Sequence, residues 1–251
     1  MSKYTSVFGF HLKRVEVVRY RSGLVPLLIS ILIILPSVGG LLNTGIAQYV
    51  PSTMLSYAGN DQAEVILWED FESYPVGSFP SSGGWELVFD GQGAEYQIVT
   101  DVEAYESNKS LQLWGQAWWS AVAQHPIAVD PSADLLGCEE AIMISERNPN
   151  PSGTPHERAC VFWNRDAGPW GKGYSHVMFD HRDLKIYVDD GDSRVAIGDW
   201  QPGTWYHVRL EINITANTYR VWINQVYKGE YHPNPNALQP QQIKSIALFS
   251  D

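Results

Sequence analysis

The chain has 251 residues, of which 44% are hydrophobic, 12% aromatic and 18% charged, with two cysteines and a formal net charge of -11 at pH 7. This composition excludes a disordered chain, which has few aromatics and much charge, and a small disulfide-stapled scaffold, which needs many cysteines. The acidic balance argues against a nucleic-acid binder built on a basic surface, and the length suffices for one large all-β core.

The first element is a leader. Lys3, Lys13, Arg14, Arg19 and Arg21 precede the apolar run Leu24–Leu35, which extends through Pro36 and Gly39-Gly40 to Leu42. The longer version reaches the length needed to span a bilayer as a hydrophobic helix. Gly45-Ile46-Ala47 fits a small-x-Ala cleavage pattern. Residues 1–47 therefore read as a signal peptide or a retained membrane anchor, with a buried core helix as the third alternative. Each of the first two readings exports the chain that follows. Removal of 1–47 takes away five basic residues and one acid, which brings the net charge to -15. In an oxidising compartment the two cysteines, Cys138 and Cys160, are expected to form a disulfide. Asn108-Lys109-Ser110 and Asn213-Ile214-Thr215 fit a short glycosylation sequon that arises often by chance.

Residues 48–63 are polar and read as a linker. From residue 64 onward, short β-type runs alternate with Gly, Pro, Asn and Asp, and no segment keeps a helical apolar period. The runs include Val65–Phe71, Glu86–Phe89, Tyr96–Val99, Ser110–Trp114, Val122–His125, Glu140–Ser145, Ala159–Trp163, Ser175–Phe179, Leu184–Val188, Arg194–Ile197 and Ile243–Phe249. The fold class is all-β, a two-sheet antiparallel sandwich over 64–251. Asp189-Asp190-Gly191-Asp192 reads as a turn, since the twelfth position of a calcium loop starting at Asp189 is Trp200 and not Glu. The clearest strand is Trp205–Ile212, in which Tyr206, Val208, Leu210 and Ile212 share one face while Trp205, His207, Arg209 and Glu211 share the other. It forms a hairpin with Tyr219–Ile223, and Asn224-Gln225 sits where a second tight turn belongs.

Gly203-Thr204-Trp205-Tyr206-His207-Val208-Arg209-Leu210 and Thr218-Tyr219-Arg220-Val221-Trp222-Ile223-Asn224 resemble the laminin-G-like branch of the concanavalin A-like lectin/glucanase superfamily. The opening Trp68-Glu69-Asp70-Phe71-Glu72, with Pro75-Val76-Gly77 and Trp85, resembles the first strand of the same domains. The resemblance covers roughly Val65 to Asp251 and departs at Gln225, where the family commonly has Gly. It implies a jelly roll, often with one structural Ca²⁺, whose concave face commonly binds carbohydrate. Family members end on an aromatic-Asp-Asp/Asn-Val strand. This chain ends at Ala247-Leu248-Phe249-Ser250-Asp251, which leaves open a C-terminal truncation or a domain without a closing strand.

Asp70 and Glu72, two apart on a strand, are the expected Ca²⁺ ligands, since paired carboxylates repel without a cation and Ca²⁺ takes oxygen. Trp114, Trp118, Trp119 and Trp170 lie near glycines and are the expected ligand-binding residues. Aromatic rings stack on the C–H faces of sugars, although large rings also fill cores. No catalytic residues are assigned. Glu69-Asp70-x-Glu72 lacks the spacing of the laminarinase-like relatives, no nucleophile elbow occurs, and the histidines show no metal spacing. The expected function is extracytoplasmic, non-catalytic binding of a polysaccharide or glycan, with membrane contact only through the N-terminal segment and no nucleic acid. The alternatives are a polysaccharide hydrolase or lyase on the same fold, marked by a carboxylate pair or by a Tyr/His/Arg cluster, and a structural or adhesion module that binds protein.

Overall fold

The structure, a computed structural model, describes residues 10–21, 62–105, 108–116, 119–130, 132–144, 156–167 and 171–250, with side chains at all of these except 10–16, 18, 20, 21, 62, 63, 156–161 and 167. In chain order the strands are β1 (Phe10–Arg21), β2 (Gln62–Glu69), β3 (Glu86–Asp90), β4 (Ile98–Thr100), β5 (Ser110–Leu113), β6 (Ala121–Pro126), β7 (Leu135–Ile144) and β8 (His156–Asn164). They continue as β9 (Lys172–Asp180), β10 (Lys185–Asp190), β11 (Ser193–Asp199), β12 (Trp205–Asn213), β13 (Thr218–Ile223), β14 (Val226–Tyr231) and β15 (Ser245–Ser250). Every pairing between them is antiparallel. Sheet A runs β14-β13-β12-β7-β1-β5-β4 with β2 also on β1, and sheet B runs β11-β10-β9-β8-β15-β6-β3.

The all-β architecture follows from period-2 patterning. In β12 burial alternates residue by residue: Tyr206, Val208, Leu210 and Ile212 are buried, and the charged residues between them are only half-buried. Tyr219, Val221 and Ile223 continue the inner face on β13. Inner residues of both sheets share one core, which includes Phe71, Trp85, Leu111, Phe162, Phe179, Trp200, Leu210 and Ile246. A smaller cluster of Val122, Trp163, Ala247 and Phe249 lies on the other face of sheet B. Gly171 packs so closely there that a Cβ would fall 2.3 Å from the Trp163 ring.

Two turns obey the chemistry expected of them. Asn224 and Gln225 both take positive φ (49° and 65°), as a type I′ turn requires, and Asn224 Oδ1 accepts from the His207 backbone N–H at 2.8 Å. The Asp190-Gly191 segment turns between β10 and β11, with Gly191 at φ 60°.

Strand boundaries differ from the sequence pattern at several strands, three of which have a clear physical reason. β7 starts at Leu135 and not at Glu140. Buried on both faces at the centre of sheet A, it lacks the polar alternation that marks a strand. Tyr96 ends a 3-10 turn (Ala94–Tyr96), and β4 begins only at Ile98. The third difference is β1, since the sandwich draws this strand from residues whose basic side chains look like the flank of a leader. Val17 is fully buried against the core, opposite Cys138, and Arg19 pairs with Glu64 at 2.5 Å. The apolar run 24–42, the Ala47 site and most of the linker 48–63 lie outside the described residues, although β2 already begins at Gln62. Among the described residues no helix is long and apolar enough to cross a membrane.

Candidate functional site

Two of the four expected ligand-binding tryptophans, Trp114 and Trp119, meet on a pair of loops, 90–97 and 114–120. The clamp is Gln97, which is completely buried. Its Nε2 reaches the carbonyl oxygens of Asp90 (2.7 Å), Gly93 (3.0 Å) and Trp114 (3.0 Å), and its Oε1 accepts from the Trp114 backbone N–H at 2.6 Å. Backbone bonds from Gly91 to Ser120 (3.2 Å) and from Gln92 to Trp114 (3.0 Å) close the loops on each other. Gly91 is required at this approach: its φ is +53°, and a Cβ would fall 2.2 Å from the Trp114 carbonyl oxygen.

This frame holds two aromatic surfaces. Tyr96, 37% exposed, stacks on Trp114 with ring centroids 5.3 Å apart and planes 15° apart. Trp119, 41% exposed, donates its indole N–H to Asp90 Oδ1 at 2.8 Å and meets Phe89 edge-on at 5.5 Å. Reciprocal backbone bonds between Gln116 and Trp119 (3.1 and 2.9 Å) tighten the loop beneath it. Rings fixed in this way give up little entropy when a ligand stacks on them, and Asp90 supplies a polar group beside Trp119. Trp118 and Trp170 lie outside the described residues.

The acidic stretch near the end of β2 has other work. Glu69 is buried, and its carboxylate accepts from the Phe71 backbone N–H (2.7 Å), the Tyr74 hydroxyl (2.6 Å) and the Trp85 indole (3.2 Å). Burial, then the bond to Glu69, pushes the Tyr74 hydroxyl up to about 12. Asp70 Oδ1 accepts from the Glu72 backbone N–H at 3.1 Å. Glu72 Oε1 accepts from the backbone N–H groups of Asn108 and Lys109 at 2.8 and 2.9 Å. The Lys109 ammonium donates to the carbonyl oxygens of Glu72 (2.7 Å) and Tyr74 (2.8 Å). Ca²⁺ takes six to eight oxygens, and in this structure the Asp70 and Glu72 carboxylates accept from backbone N–H groups. Among the described residues no group of three or more His, Cys, Asp or Glu is placed to hold a metal ion.

A second polar constellation crosses the outer face of sheet A. In register, Trp222 of β13 lies opposite Arg209 of β12, which lies opposite Glu139 of β7. The Arg209 guanidinium sits 4.7 Å over the Trp222 ring and pairs with Glu211, while His207 Nε2 lies 2.8 Å from Glu139 Oε1. The alternation of β12 already places His207, Arg209 and Glu211 on one face. Glu139 lies 68 or more residues earlier in the chain, and no local signal pairs it with them.

Two acids are buried with opposite outcomes. Asp180 is held by Arg182, whose Nε lies 2.9 and 3.1 Å from its two oxygens, and by Arg194 at 3.2 Å. Burial pushes this carboxyl up, but the side-chain and backbone hydrogen bonds from Arg182 outweigh it and hold it at about 2. Glu140 has no such help. It shares the core-facing side of β7 with Cys138 and Ile142, lies opposite Val208, and both its carboxyl oxygens are buried without a hydrogen-bond partner among the described residues. Burial raises it well above the usual carboxylate range. Cys138 is buried on β7, and the side chain of Cys160 lies outside the described ones, so the expected disulfide is not addressed by this geometry.

No family model matches the chain, and no curated protein matches it. Among solved structures the chain is similar to a sialidase, at 13% identity and a TM-score of 0.36 over 68% of this chain and 13% of that one. It is similar to the carbohydrate-binding module CBM66 from Bacillus subtilis, at 12% identity and a TM-score of 0.36 over 67% of this chain and 92% of that one. It is also similar to the T. cruzi calreticulin globular domain, at 10% identity and a TM-score of 0.40 over 71% of this chain and 86% of that one. The chain thus spans 13% of the length of the sialidase it matches.

Proposed function

We propose that this protein is a concanavalin A-like, non-catalytic carbohydrate-binding module that acts outside the cytoplasm, anchored or exported through its N-terminal segment. The observation that carries the reading is the Gln97-clamped loop pair, which presents Tyr96 and Trp119 as exposed, pre-positioned rings with Asp90 beside them. A pyranose stacks its C–H face on such a ring while amide and carboxylate groups take its hydroxyls. The test is retention of the full chain on a glycan array, with and without EDTA, scored for both binding and cleavage. Specific retention that Trp119→Ala and Tyr96→Ala each reduce at least tenfold, with unchanged melting, supports the reading. Retention that both variants keep in full refutes this site. Loss of retention in EDTA would show that binding needs a divalent cation, for which Asp70 and Glu72 are the expected ligands.

A second reading, a polysaccharide lyase or hydrolase, is favoured by the His207–Glu139 pair beside Arg209 on the outer face of sheet A. A buried carboxylate on one imidazole nitrogen orients the ring for proton transfer at the other. Oligosaccharide release that His207→Ala abolishes would select this reading over pure binding.

A further inference from the structure

β1 is an interior strand of sheet A whose chain link to the rest is long and chemically distinct. It pairs along Phe10–Tyr20 with β7 on one side. On the other side its first residues pair with β5 and Val15–Arg21 pair with β2. Forty residues separate Arg21 from Gln62, and they contain the apolar run and the small-x-Ala pattern ending at Ala47. A cut near Ala47 would sever β1 from the sandwich that holds it.

We propose that β1 is a separable strand: sheet A is a receptor for an extended basic segment, and it keeps residues 10–21 as a bound peptide after the chain is cut between β1 and β2. Three features of the receptor select this occupant. The first is a ladder on both flanks, which an extended backbone fills without regard to covalent connection. The second is the fully buried place of Val17 between Cys138 and Leu67, which takes a β-branched apolar side chain and rejects a charge. The third is charge. Arg19 lies 2.5 Å from Glu64 and 3.8 Å from Asp130. An acidic residue in the place of Arg19 is disfavoured there, so the slot discriminates among extended segments by sign at that position as well as by pattern. The receptor is independent of the aromatic loop pair, and the outcome does not depend on glycan binding.

The test uses the full chain with a protease recognition sequence replacing residues 53–58, purified folded and then cut. The two pieces are expected to co-elute under native conditions and to separate only in denaturant. A fluorescent synthetic peptide of residues 10–21 is then expected to exchange into the cut protein and not into the uncut one. The same peptide carrying Val17→Asp should compete on the order of 100-fold less well, and Arg19→Glu should weaken exchange most at low salt. Separation of the pieces in native buffer would overturn the proposal. Equal uptake of wild-type and Val17→Asp peptides would do the same, because it would show adhesion without a slot.

Discussion

Glu140 offers the sharpest check on the interior. Its carboxyl lies on the core side of β7 opposite Val208, and neither oxygen has a hydrogen-bond partner among the described residues. An unsatisfied buried polar group costs about 1–3 kcal/mol even when neutral. Glu140→Leu replaces it with an apolar side chain of similar volume, so the variant is expected to gain about 2 kcal/mol at pH 5, or roughly 4–8 °C in Tm for a domain of this size. The pH dependence has a definite sign. Because burial raises the carboxyl above its unfolded value, the folded state binds that proton more tightly. The wild-type protein therefore has the full benefit below the unfolded value near 4.5 and loses stability as pH rises toward the folded value. The gap between Glu140→Leu and wild type should widen from pH 4 to pH 8, while Glu140→Gln removes the pH dependence and keeps an unsatisfied amide.

Denaturant melts of the three proteins at closely spaced pH values read both effects, since differences between variants cancel the other titrating groups. A Glu140→Leu protein that is less stable than wild type throughout, with a gap that does not change with pH, would refute the reasoning. It would mean that the carboxylate is charged and partnered in solution.

Gln225→Gly should stabilise the β13–β14 hairpin by about 1 kcal/mol, because Gln225 holds φ 65° at a place that glycine adopts without strain; equal melting midpoints would contradict the turn assignment. In Glu69→Gln the phenol of Tyr74 should titrate below its present value of about 12, because the acceptor loses its charge, while burial keeps it above an ordinary tyrosine; ultraviolet titration reads this directly. Asp180→Asn should remove about 2 kcal/mol of stability at pH 7. That contribution is present above the unfolded carboxylate value of 3.8 and lost as pH falls toward about 2, so acid melts of variant and wild type should converge near pH 2. Gln97→Ala should cost about 2–3 kcal/mol and lower glycan retention together with stability, because the same amide clamps both loops.

What was legible in the sequence was whatever had a period. The β12–β13 hairpin alternates over its full length, so its faces and turn follow from side-chain parity alone. The centre of sheet A was less legible for a physical reason: a strand buried on both faces has no polar side to betray it. In β7 the acids Glu139 and Glu140 and the glycine Gly137 further disguise a run that continues back to Leu135. The site was partly legible. The tryptophans near glycines pointed to the 114–120 loop, but the residue that makes a surface of it, Gln97, is an ordinary glutamine 17 residues from Trp114 that carries no motif. Asp70 and Glu72 read as a metal pair because charge repulsion is visible in sequence, whereas the backbone N–H groups of Asn108 and Lys109 that bond Glu72 come from 36 and 37 residues away and leave no local signal.

β1 shows how one composition serves two physical ends. Basic residues before an apolar run orient a leader, and Arg19 among Val15, Val17 and Val18 also suits a strand that has Glu64 and Asp130 beside it. Sequence statistics see only the first pattern, because the acids that complete the second lie at positions 64 and 130. The two uses conflict only if the segment must be in two places at once. An apolar run that crosses a bilayer puts β1 and β2 on opposite sides, whereas sheet A requires them side by side. A cut between Arg21 and Gln62 does not carry β1 across a bilayer, so sheet A keeps this strand, cut or uncut, only where both ends of the run lie on one side.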